Sequence, residues 1–208
     1  VSICVFCEGE SEQAYIDFLK SEFHDVAVFK RPSSPGLFDD ADNRFKKDPG
    51  YRNYVDAIDE IWFFFDVEEK DIGNWTNRLE IIKRLRKLRK DPKIRVRLLM
   101  TTGCIEYWLM LHYRHLAPSL LTVPDKERML AQVVNMEPTY RKGNYDATAR
   151  IAQNYPTAVK NATIVLQNLL QEGMPGLEDT DERNRWLCTK CKTFSTVQEA
   201  IVFLESLQ

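Results

Sequence analysis

The chain has 208 residues, 44% hydrophobic and 29% charged, an ordinary globular composition with enough apolar material for one domain with elaborations. Its formal net charge of −2 excludes a bulk electrostatic grip on a polyanion, so any nucleic-acid contact must come from a local basic patch. No apolar run is long enough to cross a bilayer, and five cysteines without a regular framework fit a reduced, cytoplasmic protein.

The first residue is Val1 rather than Met, which points to a trimmed start and leaves a lost targeting segment open. Val1–Cys7 (VSICVFC) is β-branched and aromatic and meets Glu8-Gly9-Glu10, the pattern of a buried strand ending in a turn. Ser11 can cap a following helix whose face is Ala14, Tyr15, Phe18 and Leu19, and Val26–Phe29 is a second short strand. Arg31–Gly50, rich in proline, glycine and serine, reads as a long binding loop. Tyr51–Glu60 is expected to be a short helix. Ile61–Phe65 (IWFFF) is the most apolar strand and stops at Asp66, inside the acidic run Asp66, Glu68, Glu69, Asp71.

Trp75–Lys90 has helical spacing (Leu79, Ile82, Leu85, Leu88) and is closed by Asp91-Pro92. Ile94–Met100 is a strand, Thr101-Thr102-Gly103 a turn, and Ile105–His115 an apolar, aromatic helix. This alternation predicts an α/β fold with a mainly parallel sheet covered on both faces. From Pro118 onward only helices are expected, near Asp125–Asn135, Tyr155–Glu172 and Thr196–Leu207, the last with Ser195/Gln198 and Thr196/Glu199 as capping-box pairs. Residues 1–115 are thus the sheet domain, and 116–208 a helical extension packed on it.

Two strand ends carry acid: Glu8 after the first, Asp66 and Glu68 after the third. Ligands of open parallel sheets sit beyond the carboxyl ends of the strands, so both clusters fall on one edge. Asp66 and Glu68 are two apart and face the same way in an extended segment, a spacing that suits two oxygen ligands of one hard cation. Mg²⁺ or Mn²⁺ there would activate water and neutralise charge on phosphorus, with Glu8 as a further ligand or proton carrier. A solvated loop would explain any single one of these acids, but less well Asp66, which directly follows five apolar residues.

The segments Cys7-Glu8-Gly9-Glu10-Ser11-Glu12, Phe65-Asp66-Val67-Glu68 and Gly103-Cys104-Ile105-Glu106-Tyr107-Trp108-Leu109-Met110-Leu111-His112 resemble the RloB family. These are small prokaryotic proteins with a TOPRIM-type domain, similar to the nuclease half of the OLD proteins. Tyr140–Tyr145 and Phe194–Val197 resemble later landmarks of that family, so the likeness spans nearly the whole chain. It implies a TOPRIM-like fold, bound Mg²⁺, and metal roles for Glu8 and Asp66, with Glu68, Glu12 and Glu106 as further candidate ligands. It also implies an AAA-type ATPase partner (RloA-like), a phage-defence or restriction-linked setting, and DNA or RNA as substrate; a homodimer is compatible with it. The second acid of the pair is Glu68 where the family pattern has Asp, which puts catalytic efficiency in doubt, and Glu69 or Asp71 could supply a missing ligand.

From Arg78 to Arg97 ten basic residues face two acids, a stretch near +8 that reads equally as a phosphate-binding patch or a solvated helix face. Arg95 and Arg97 alternate with Val96 and Leu98, so one face of that strand could be open to water or substrate. Cys188 and Cys191 form a lone CxxC without the second ligand pair that structural zinc needs, and Cys4 and Cys7 point to opposite faces of a strand. His112 reads as a packed, hydrogen-bonded histidine, and Lys142 as a candidate charge stabiliser in a turn. The leading expectation is a metal-dependent endonuclease using Glu8, Asp66, Glu68 and Lys142. The rivals are a catalytically weak module that docks on its ATPase and grips nucleic acid through the basic helix, and a nucleotidyl-transfer enzyme, for which no Gly-rich phosphate loop is present.

Overall fold

Strand β1 (Ser2–Cys7) opens the chain and is followed by helix α1 (Glu10–Glu22), strand β2 (Val28–Lys30), helices α2 (Phe38–Lys47) and α3 (Pro49–Arg52), and strand β3 (Glu60–Val67). A 3-10 segment, Glu69–Asn74, leads into α4 (Trp75–Arg86), then β4 (Arg95–Thr102) and α5 (Ile105–Leu111). The rest is helical: α6 (Val123–Met136), α7 (Tyr145–Ala152), α8 (Tyr155–Asn168), α9 (Asp181–Thr189) and α10 (Val197–Glu205). This is a computed structural model, and it describes residues 1–208.

The four strands form one all-parallel sheet in the order β2-β1-β3-β4, as the alternation predicts, and the α/β architecture is consistent with a TOPRIM-like fold. From β1 the chain steps outward to β2, then returns to lay β3 on the other side of β1. The direction of winding therefore reverses between β1 and β3. A crevice opens at such a reversal because the connections leave toward opposite sides of the sheet.

Both faces of the sheet are buried, which explains why the strands read as continuous apolar runs. One core gathers Ile3, Val5, Cys7, Trp62 and Phe64 under α1, α5, α7, α8 and α10. The other gathers Cys4, Phe6, Phe63, Phe65 and Met100 under α2, α4 and α9. Cys4 and Cys7 do lie on opposite faces. Residues 116–208 enter both cores: Ala158 and Ile201 are in the first, Leu187 and Phe194 in the second.

Three expectations are corrected. Arg31–Gly50 is not one long loop: Phe38, Ala41 and Phe45 are buried at helical spacing and build α2, with the Phe38 ring stacked on Phe63 at 4.1 Å. The helix expected over Tyr51–Glu60 is reduced to α3 and a 3-10 turn, Val55–Ala57. The Ser195 and Thr196 capping boxes do not form, because Thr196 serves the sheet instead. Its hydroxyl donates to the Leu98 carbonyl (2.8 Å) and accepts from the Met100 N–H (2.9 Å). Thr196 N–H bonds Met100 O and Thr102 N–H bonds Phe194 O, so this segment seals the open edge of β4.

Candidate active site

Glu8 follows β1 directly, and its N–H still bonds the Phe64 carbonyl across the ladder (2.9 Å). Its carboxylate turns to β3, where Oε2 accepts the Asp66 N–H at 2.8 Å. Acids far apart in sequence thus meet at the reversal of the winding order. They line a cleft of about 570 Å³ together with Glu12, Glu68, Glu106 and Lys142. Of the acids weighed as ligands, Glu8, Glu12, Asp66, Glu68 and Glu106 border this one cavity with Lys142, while Glu69 and Asp71 do not.

Each acid has its own support. Asp66 occupies the penultimate position of β3, opposite Thr101 of β4, and its Oδ1 is sealed from solvent with no hydrogen-bond partner. Burial, then the charges of Glu12, Glu8, Glu106 and Glu68, push its carboxyl far above the usual range. Glu12 is in the first turn of α1, 4% exposed, and burial followed by Glu8 and Glu106 raises it to about 7. Burial likewise raises Glu8, against the stabilising Asp66 N–H. Glu106, in the first turn of α5, is 1% exposed and accepts the Tyr140 hydroxyl (3.1 Å), with Lys142 Nζ at 3.8 Å.

Close backbone approach holds these parts together. A Cβ on Gly9 would sit 2.9 Å from Glu12 Oε2. Gly143, at φ 76°, donates its N–H to Ser11 Oγ (3.2 Å), docking the Lys142 turn against the start of α1. Lys142 itself stands at the rim with its side chain 65% exposed.

Glu68 differs from the other acids. One of its oxygens is held by Lys126 of α6 and the other by Lys70. Burial alone would raise its carboxyl, but these two ammonium groups hold it below the usual carboxylate range. Asp71 is not a free ligand: it accepts the Glu68 N–H (3.0 Å) and pairs with Arg78 (2.7 Å), bracing the loop. No three His, Cys, Asp or Glu side chains stand as a ready-made metal cage.

The basic stretch does not form a patch near +8. Arg84 pairs with Asp42, Arg86 with Asp181, and Arg95 with Asp179. Arg97 is not open to water or substrate: it is 4% exposed and bonds both Glu60 oxygens at 2.9 and 3.0 Å. Acids remote in sequence neutralise what looked like a surplus. His112 is fully buried, between the Tyr15 hydroxyl and the Trp108 carbonyl at 3.0 Å each, as its packed reading expects.

Lys126, Lys70 and Tyr140 were missed as site residues. Tyr140 lies in one of the motif segments and could have been found there; Lys126 sits in a helix whose pattern marks it only as polar surface.

Fold and cleft together define a parallel α/β protein with an acidic site at a reversal of strand order. The profile of the RloB-like protein family matches residues 3–201, and the chain belongs to that family. No curated protein and no solved structure matches it. No helix is long and apolar enough to cross a membrane.

Proposed function

We propose that this chain is a Mg²⁺- or Mn²⁺-dependent endonuclease that hydrolyses phosphodiester bonds of DNA or RNA. The observation that carries the reading is the Asp66 carboxylate, with one oxygen sealed and unpartnered among four other acids. A buried carboxylate without a partner costs several kcal/mol unless it is protonated or meets a cation. The donor set is all oxygen, as a hard divalent cation prefers.

Glu8, Asp66 and Glu12 would hold the cation, with Glu68 joining once released from its lysines and Glu106 on the facing wall. Bound there, a divalent cation supplies a water acidic enough to attack at neutral pH and offsets the charge that builds on phosphorus. In the metal-free cleft, burial and the neighbouring Glu8 and Glu106 raise the Glu12 carboxyl to about 7, so cation binding there would displace a proton. The Asp66 N–H fixes the Glu8 carboxylate, and Lys142 at the rim can meet a non-bridging phosphate oxygen.

The setting in this proposal is prokaryotic phage defence or a restriction-linked system, gated by an AAA-type ATPase. Its support is the motif resemblance, and the toxicity that an ungated nuclease would have. The test is a cleavage assay on DNA and RNA with Mg²⁺ or Mn²⁺. Glu8→Gln and Asp66→Asn should each lower the rate by at least about a hundredfold. Unchanged cleavage in both variants would refute the assignment.

One observation favours the rival reading, a catalytically weak binding module: Glu68 is already neutralised by two lysines, and no complete cage is formed. Oligonucleotide binding without turnover under any divalent cation would select it.

A further inference from the structure

Glu68, after β3, and Lys126, on α6, both line the cleft and pair there. Lys126 lies in the first turns of α6, whose start is fixed by reciprocal Thr122–Asp125 hydrogen bonds. Lys126 lines the cavity with its side chain 26% exposed, and its ammonium donates to Glu68 Oε1. The second lysine, Lys70, belongs to the same loop as Glu68 and is 69% exposed. Seven acidic side chains and only two lysines line the cavity, so a phosphate chain meets repulsion until positive charge is freed or added.

We propose that Lys126 is a substrate-phosphate-binding residue that rests on Glu68 and transfers to the phosphate when a divalent cation takes the Glu68 carboxylate. The inference rests on the metal-dependent reading above and deepens it by naming the group that couples cation entry to substrate entry. One carboxylate oxygen cannot serve an ammonium and a cation equally well, so the two compete. The released ammonium remains within reach of the cavity, because Lys126 is one of the residues that line it. It then supplies a positive charge at the time a polyanion needs one. Exchange requires only a side-chain rotation, and Lys70 is free to move into solvent.

The experiment uses the full chain in three forms: wild type, Lys126→Gln and Lys126→Arg. Mn²⁺ binding is followed by electron paramagnetic resonance. Binding of a short fluorescent oligonucleotide is followed by anisotropy in Ca²⁺ across a salt series. Lys126→Gln should bind Mn²⁺ roughly threefold to fivefold more tightly, since a competing ion pair of this exposure contributes little more. The same variant should bind the oligonucleotide several-fold more weakly, with a salt slope smaller by about 0.7–0.9. Lys126→Arg should restore oligonucleotide binding. Opposite shifts of the two affinities are the signature. A lysine that merely staples α6 to the Glu68 loop would lower the melting temperature and weaken both ligands together, which would overturn the proposal. Mn²⁺ binding with no change in Lys126→Gln would overturn it alone; no Mn²⁺ binding by the wild type would overturn it together with the metal-dependent reading.

Discussion

Replacing Glu12 by glutamine should make the metal-free chain more stable at pH 8. The Glu12 carboxyl is 4% exposed and is raised from 4.5 to about 7, first by burial and then by Glu8 and Glu106. The folded chain therefore holds this proton more tightly than the unfolded chain does. The stability that results is complete below about pH 4.5 and is lost as pH rises through 7. The span corresponds to roughly 3 kcal/mol. Glutamine has nothing to titrate, and the weaker acceptor it offers to nearby backbone amides costs about 1 kcal/mol. A net gain of about 1–2 kcal/mol at pH 8 should raise the melting temperature by roughly 2–8 °C in a chain of this size. The assay is thermal melting with a chelator from pH 4.5 to 8, repeated with Mn²⁺. The variant's advantage should grow with pH and shrink when the cation is added, because only wild type gains a full ligand set. Parallel curves for the two proteins across that range would refute the electrostatic account of the cleft.

Gly9→Ala should lower cleavage while leaving the melting temperature nearly unchanged, because the new Cβ, 2.9 Å from Glu12 Oε2, displaces a side-chain tip rather than backbone. A rate equal to wild type would show that the placement of Glu12 does not matter. Arg97→Ala should cost about 3–5 kcal/mol in urea unfolding, since it strands Glu60, a 4% exposed carboxylate that also accepts the Trp62 indole N–H (2.6 Å). A loss below about 1 kcal/mol would mean that water reaches Glu60. His112 is lowered to about 4 by burial, so its stabilisation is complete above about 6.5 and is lost as pH falls toward 4. His112→Gln should flatten the acid limb of the stability curve, and an unchanged limb would assign acid unfolding to other groups.

The sheet and the acidic edge were legible because both depend on local signals. Apolar runs such as Ile61–Phe65 mark buried parallel strands, and the acids directly after them mark strand ends. What escaped depends on partners remote in sequence. α2 hid between prolines and glycines that punctuate its ends, with only Phe38, Ala41 and Phe45 to betray it. α7 buries mostly small residues, Ala147, Thr148 and Ala152, and α9 buries Arg183 and Asn184 beside Leu187 and Cys188, so neither shows a clean apolar stripe. Arg183 is held by the nearby Asp179 and by Glu199, which lies on α10. The same blindness made the Arg78–Arg97 stretch look like a patch: its neutralising acids, Asp42, Asp179 and Asp181, lie on other elements.

A cleft that concentrates this many carboxylates at one sheet edge must neutralise them, and it does so in reversible ways. Asp66 and Glu12 retain protons to unusually high pH, Glu68 borrows two lysines, and Glu106 leans on a tyrosine hydroxyl. The lysines on Glu68 are 26% and 69% exposed, unlike Arg97 on Glu60 inside the sheet, which is buried. The contrast separates structural acids from poised ones. Glu60 has both oxygens satisfied by buried donors and has no reason to exchange. Asp66 Oδ1 has none, and the charges that bear on it most strongly are those of the acids Glu12, Glu8, Glu106 and Glu68. Binding that brings positive charge is therefore favoured at the edge and not in the core. The rigid, doubly covered sheet keeps the acids from relieving their repulsion by moving apart.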